Sequence, residues 1–254
     1  MDEVKDLEVY VRRMEKSLMD KLFFVDKIYE PVNSILDFGC ANGVLIQTMQ
    51  RLFPEYNYVG YDISPEMLQQ AKINAPEAVF YEDWDQISLD FSGSLLNISS
   101  TVHEVYAYGN EASVAQFWDR VFHSGFRYIA IRDMMLSRNA QGTTSPADLE
   151  KIRKLFPEKL AEYESIWGSV AQRFHFIHYL LKYRYTENWE REIRENYLPI
   201  TVEQMLDMIP DHYEIIYQEH YVMPFVRQHI YHDSGIDLQD PTHFKLLLKR
   251  KDHY

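Results

Sequence analysis

A single cysteine in 254 residues leaves nothing for it to pair with, so no disulfide can cross-link the chain within itself. Cys40 also has no companion at metal-ligating spacing, and no metal is expected. Long apolar runs are missing as well: none approaches the roughly 20 residues that a membrane-spanning helix needs. No basic-then-apolar leader opens the chain. Together these absences lead to the expectation of a soluble protein of the reducing cytoplasm with no membrane partner. Positive charge is short too, with 26 Lys and Arg against 39 Asp and Glu and a formal net charge of −13. A uniformly acidic surface repels phosphates, which argues against loose, charge-driven binding to nucleic acid or anionic lipid, though not against a local basic cleft. Internal repeats and low-complexity tracts are absent. What the chain does have is 46% apolar content, enough to fill a sizeable interior.

The most informative stretch is Ser34-Ile35-Leu36-Asp37-Phe38-Gly39-Cys40-Ala41-Asn42-Gly43. An apolar strand signal runs into two glycines four apart, then into Val44-Leu45-Ile46-Gln47-Thr48-Met49, whose spacing suits a helix. A strand, a tight turn and a helix start in so short a space let backbone N–H groups and the positive helix end face a ligand. Nineteen residues beyond Gly43, Tyr58-Val59-Gly60-Tyr61-Asp62 predicts a second strand tipped by a carboxylate. Ser64 suits the N-cap and Pro65 the first position of the helix that follows. An acidic residue so placed in a parallel α/β unit accepts hydrogen bonds from ribose hydroxyls.

Asp37 to Gly43, taken with Gly60-Tyr61-Asp62-Ile63-Ser64, resembles the first two motifs of the class I S-adenosylmethionine-dependent methyltransferases. The glycines stand at the first and fifth positions of the turn rather than in the G-x-G-x-x-G of dinucleotide dehydrogenases, which turns the reading from NAD to S-adenosylmethionine. The resemblance implies that Asp37, Gly39, Cys40, Ala41, Asn42 and Gly43 hold the methionyl end of the cofactor, with Asp62 and Ile63 at its sugar. It also places Asp83 and Trp84, after a third short strand at Ala78–Tyr81, beside the adenine: an acceptor for the amine and a flat face for stacking. Lys16 or Lys21, in an amphipathic N-terminal helical segment, is a candidate for the cofactor's carboxylate.

Ser94 to Ser99 predicts a fourth strand delivering Ser99-Ser100-Thr101-Val102-His103-Glu104 to the same sheet edge, where ligands are met in open parallel sheets. Ser99 is assigned to the cofactor and Glu104 to the substrate. His103 is the candidate catalytic base, because a histidine near its reference pKa of about 6.5 can take a proton as a methyl arrives. No Asp/Asn-Pro-Pro-Tyr and no Pro-Cys occurs here, which disfavours methylation of adenine amines and of cytosine C5. Asn110 predicts a helix cap, and Phe126 to Ile131 a fifth strand ending in Arg132-Asp133-Met134-Met135.

Alternation breaks at residue 137, and helical spacing continues through a segment that is mildly basic, with nine Lys and Arg against seven Asp and Glu between residues 151 and 195. Within it, bases and aromatics interleave from Arg173 to Tyr185, a pattern compatible with nucleotide contact or with core packing. Thr201 and Gln204 form a capping-box signature where the sheet pattern resumes. Tyr213 to Val222 and His243 to Arg250 are expected to pair as an antiparallel hairpin with a long loop, in which Arg227 and His229 are candidate substrate contacts. The expected architecture is therefore a doubly wound, seven-stranded, mostly parallel α/β sheet with its last strand antiparallel. Residues 1–29 form a helical cover, 30–136 and 200–254 the cofactor-binding core, and 137–199 a helical insertion or lid. The expected activity is methyl transfer from S-adenosylmethionine to an oxygen or nitrogen of a small molecule. The alternatives are an RNA or nucleotide methyltransferase and a noncatalytic S-adenosylmethionine-binding regulatory subunit. Nothing in the sequence specifies an oligomeric state.

Overall fold

The computed structural model describes residues 17–252. Strand β1 (Ser34–Phe38) leads to helix α2 (Val44–Leu52), the first helix after the short α1 (Leu18–Lys21). Then come β2 (Asn57–Tyr61), α3 (Pro65–Asn74), β3 (Val79–Tyr81), β4 (Ser94–Ser99), α4 (Val102–Tyr108), α5 (Glu111–His123) and β5 (Tyr128–Met134). The seven strands lie in the order β3-β2-β1-β4-β5-β7-β6, and β7 (His243–Arg250) runs antiparallel to both of its neighbours, β5 and β6 (Tyr213–Tyr221). The doubly wound sheet with one reversed strand is thus present as expected.

Side chains alternate across the sheet, so consecutive residues of one strand enter different cores. Ile35, Leu95, Tyr128 and Leu247 pack with Phe24, Ile46 and Met49 on one face, while Leu36, Leu96, Ile129 and Leu246 pack with Phe117, Val121 and Phe122 on the other. The local signals act where the sequence puts them. Ser64 accepts from the Met67 amide at 3.3 Å, Asn110 from the Ser113 amide at 3.0 Å, and Thr201 with Gln204 forms a complete capping box at the start of α10 (Val202–Asp207).

Two expectations change, and a third falls mostly outside the described residues. Strand β5 continues through Arg132, opposite Ser99 at the end of β4, and on through Asp133 because β7 pairs beside it, Arg132 with Lys245 and Asp133 with Phe244. The connection between β6 and β7 is not a loop: it carries α11 (Pro224–Ser234), started by Pro224 and closed by Gly235 at φ 67°. Antiparallel neighbours need no crossover, so a helix fits in a span too short for one. The amphipathic N-terminal helix falls mostly on residues outside the described range, Lys16 among them. Of residues 17–28, only α1 and a 3-10 turn at Val25–Lys27 are helical.

Residues 137–199 leave the sheet and return to the same point. Leu136 bridges Thr201, and the Val202 amide donates to the Leu136 carbonyl at 3.1 Å. In between, α6 (Pro146–Lys154), α7 (Pro157–Trp167), α8 (Arg173–Lys182) and α9 (Trp189–Glu192) build a hydrophobic cluster of their own, to which Ile230, Ile236 and Leu238 contribute from the β6–β7 connection. The Arg173–Tyr185 run belongs to this cluster. Phe176 to Lys182 are buried, and Arg173 pairs with Asp240. Most of the interleaved bases and aromatics are therefore interior packing, while Tyr183, Arg184 and Tyr185 at the end of the run line a cleft.

Candidate functional site

A cleft of about 1320 Å³ opens at the carboxyl ends of the strands, bounded on the far side by the inserted helices and by α11. At its sheet end lies the glycine bend, in which Gly39, Ala41 and Gly43 all take positive φ (73°, 45° and 75°). A Cβ at Gly39 would stand 2.6 Å from the Thr101 side chain, so a substituent cannot be placed there without displacing the residue that caps α4. The Gly39 and Cys40 amides donate to the Tyr61 carbonyl, at 2.8 and 3.0 Å, which fastens the bend to the tip of β2. Asp62 completes the corner: one carboxylate oxygen accepts from the Ala41 amide at 2.8 Å and the other from the Ser64 amide at 2.9 Å. Burial raises its pKa, and these amide bonds work against that rise. The carboxylate still has lone pairs for two further donors from the cleft.

The bend's remaining residues support this corner from behind. Asp37 is buried beneath it, bonded by the Asn97 amide at 2.7 Å, and its burial raises its pKa to about 6. Cys40 and Asn42 are buried, the Asn42 carbonyl taking the Asn74 side chain at 2.9 Å, and neither lines the cleft. Gly39, Ala41, Asp62, Ile63 and Ser99 do line it. Asp83 and Trp84 are placed elsewhere. Asp83 caps a 3-10 turn through the Asp85 amide, and the Trp84 ring packs among Phe38, Tyr61, Phe91 and Phe126. Trp84 therefore backs Phe38 and Tyr61, which line the cleft, instead of facing it. Trp84→Phe is expected to lower stability by roughly 1–2 kcal/mol through lost packing, and to leave cofactor affinity within a few-fold; chemical denaturation and calorimetry read the two separately.

Lys21 lines the cleft, and burial together with Arg132 lowers its pKa to about 8. It is held there by its neighbour Asp20, whose carboxylate takes Arg132 of β5 and Lys245 of β7, both at 2.7 Å, and the Tyr221 hydroxyl of β6 at 2.6 Å. Three strands thus anchor α1 over the sheet edge.

His103, in the first turn of α4, is buried, and its Nδ1 lies 2.8 Å from an oxygen of Asp133. Burial alone would lower its pKa, but Asp133, with Glu104 and Glu195 further off, outweighs that and raises it to about 9. At neutral pH the His103 ring is therefore an imidazolium, not the neutral imidazole expected from the reference value. Glu104, next in sequence, opens to the cleft and meets Arg191 of α9 at 3.3 Å. Arg191 also holds Glu195 at 2.8 Å and the Tyr108 hydroxyl at 3.0 Å, and the Tyr197 ring stands edge-on to His103 with centroids 5.4 Å apart. His229 lines the cleft from α11, with the Phe225 ring 3.9 Å away. Arg227, on the same helix, points outward and is tied to Asp237 at 2.6 Å, because its position falls on the exposed face that a loop would not have had.

Asp133, Tyr108, Arg191, Glu195 and Tyr197 escaped the sequence reading. Asp133 carried a usable signal, a carboxylate at the carboxyl end of a strand. The others arrive from helices whose docking no local pattern encodes. Among the described residues, no cluster of three or more His, Cys, Asp or Glu is arranged to hold a metal, and no helix is long and apolar enough to cross a membrane.

A sheet ordered 3-2-1-4-5-7-6 with β7 reversed, a glycine bend after β1 and a carboxylate at the tip of β2 define the class I methyltransferase fold. A family model described as a methyltransferase domain matches residues 31–82, the segment from β1 to just past β3 that carries both motifs. The two motifs thus carry a family match over that segment, and the chain as a whole has the fold of these methyltransferases. Solved structures with the same fold include an S-adenosylmethionine-dependent methyltransferase from Mesorhizobium loti, at 15% identity and TM-score 0.53, covering 90% of this chain and 96% of that one. Another, from Anabaena variabilis, has 14% identity and TM-score 0.52, covering 98% of each chain. A third is the plantazolicin methyltransferase BamL in complex with a triazolic desmethylPZN analogue and SAH, at 14% identity and TM-score 0.52, covering 93% of this chain and 85% of that one. No curated protein sequence matches the chain.

Proposed function

We propose that the protein transfers the methyl group of S-adenosylmethionine to an oxygen or nitrogen of a small-molecule acceptor. The observation that carries this reading is the single cleft in which the glycine bend and Asp62 occupy one end and His103, paired to Asp133, stands between them and the inserted helices. The residues present fit the cofactor. Gly39 and Ala41 offer a backbone surface without obstruction, Asp62 has lone pairs for ribose hydroxyls, Ile63 is an exposed apolar wall, Ser99 lies at the end of β4, and Lys21 is a cation for a carboxylate. When bound, the cofactor supplies an electrophilic methyl on a sulfonium.

The chain's own residues supply position and proton transfer. Enclosure between the sheet edge and the insertion orients the acceptor, which is the dominant requirement of an in-line displacement. His103 accepts the acceptor's proton at Nε2, the nitrogen left by the Nδ1 contact with Asp133, and Asp133 keeps the ring in that orientation. With a pKa of about 9, His103 is a competent acceptor in an increasing fraction of molecules as pH rises, so turnover is expected to climb from neutral pH towards 9. Glu104 and His229 line the acceptor's side. Charge weighs against RNA as the acceptor: the cleft is lined by seven Asp and Glu, from Asp62 to Asp233, against four Lys and Arg. The test is calorimetric titration with S-adenosylmethionine and S-adenosylhomocysteine, followed by methyl transfer to a metabolite mixture and to bulk RNA. Labelling of small molecules alone supports the reading, labelling of RNA replaces it with the nucleic-acid one, and binding without transfer to either reduces the protein to a cofactor-binding subunit.

A further inference from the structure

The half of the cleft facing the insertion has an unusual charge balance. Glu104, Glu187, Glu192, Glu195 and Asp233 line it, against Arg184 and Arg191. Lys182 lies buried behind Glu192 and Glu195, its ammonium on their backbone carbonyls, so even with it the formal balance among these described side chains remains two negative charges. His103 does not alter this, because Asp133 stands against it. Tyrosine rings are gathered at the same place: Tyr108, Tyr183, Tyr185 and Tyr197 all line the cleft. Carboxylates in a partly dehydrated cavity with aromatic faces around them are the surroundings a compact organic cation prefers. They are equally hostile to an anion.

We propose, resting on the methyltransferase reading, that the acceptor is an amine that enters the cleft as its ammonium, held between Glu104 and Glu195 beside His103. These two carboxylates come from opposite walls, α4 and the segment after α9, and share Arg191 (3.3 and 2.8 Å). One guanidinium between two carboxylates leaves one negative charge for the arriving cation to balance. Glu104 is the more open, its side chain about one third exposed, and it is the neighbour of His103 in the chain. In the reaction the ammonium gives a proton to neutral His103. The freed nitrogen lone pair then forms the bond to the methyl carbon as the carbon–sulfur bond breaks with its electron pair to sulfur, and His103 later releases the proton to water. The products are the N-methylammonium, the thioether of the donor and one proton.

The experiment uses the full chain saturated with S-adenosylhomocysteine and two matched sets of probes: hexylamine, hexanol and hexanoate, and tyramine with its alcohol and carboxylate counterparts. Calorimetry is expected to give each bound amine at least tenfold tighter affinity than its alcohol or carboxylate partner. Glu104→Gln is expected to lower that amine affinity about tenfold while S-adenosylhomocysteine binds as before; Glu195→Gln serves as the second variant should the first fail to fold. Equal or tighter binding of the alcohols or carboxylates, or no binding by either amine, overturns the proposal. So does a Glu104→Gln variant that loses affinity for S-adenosylmethionine alone, because the carboxylate would then serve the sulfonium. Failure of the wild-type chain to bind S-adenosylhomocysteine sinks the methyltransferase reading itself and is seen before any amine is added.

Discussion

Asp62→Ala is expected to weaken S-adenosylhomocysteine binding by 100-fold or more. The carboxylate fixes the Ala41 and Ser64 amides, at 2.8 and 2.9 Å, and so sets the shape of the bend as well as offering acceptors to the ligand. Hydrogen bonds to a charged group are worth roughly 1.5–3 kcal/mol each. Losing two to a sugar, together with the ordering of the bend, exceeds the ~2.7 kcal/mol that a 100-fold change represents. Asp62→Asn has one oxygen where the carboxylate has two, so it can keep only one of the two amide bonds, and is expected to fall between wild type and Asp62→Ala. Calorimetry on all three proteins reads the order, and equal affinity across the series would remove Asp62 from the site.

His103→Ala is expected to reduce turnover by about 10²–10⁴-fold, the range that a positioned acid or base supplies, with S-adenosylhomocysteine affinity changed only a few-fold. Asp133→Asn separates positioning from proton transfer. Without the carboxylate, burial dominates, and the His103 pKa is expected to fall from about 9 to near or below its ordinary 6.5, visible in an imidazole NMR titration. The rate profile of that variant should plateau at lower pH, with a lower maximum because the ring is no longer oriented. Stability changes in the same experiment. The folded protein holds this proton more tightly than the unfolded chain, so the pair stabilises fully below pH ~6.5 and its contribution fades as pH rises to about 9. The interval from 6.5 to 9 corresponds to about 3 kcal/mol. Wild type should lose stability across that window, and Asp133→Asn should be flatter over the same range. A His103→Ala enzyme with undiminished turnover would remove the proton-transfer role.

How these side chains came to be found differs from one to the next. The shape of the glycine bend and of the corner at Asp62 was legible in the sequence because it depends on local backbone: positive φ at Gly39 and Gly43, and a helix cap at Ser64, two residues after the carboxylate. The reversed final strand was visible because alternation and span length allow few other pairings. Trp84 was misplaced because flat ring and neighbouring acid look the same in a chain whether the ring faces a ligand or lies behind Phe38 and Tyr61. Arg227 was misplaced because it was read on a loop, whereas α11 turns it outward to Asp237 and leaves His229 facing in. The contacts of Arg191 with Glu104, 87 residues away, depend on how the inserted helices dock, and docking is set by the Leu160, Tyr163, Phe176 and Ile177 cluster as a whole. No short motif records it.

The central claim is that one cleft receives a sulfonium donor at the bend between β1 and α2. Calorimetric titration of the wild-type chain with S-adenosylhomocysteine, then with S-adenosylmethionine, tests it most directly. Saturable binding of both at a single site per chain, lost in Asp62→Ala, is the predicted result; no heat from either ligand up to about 1 mM, the upper end of ordinary substrate affinities, would contradict it.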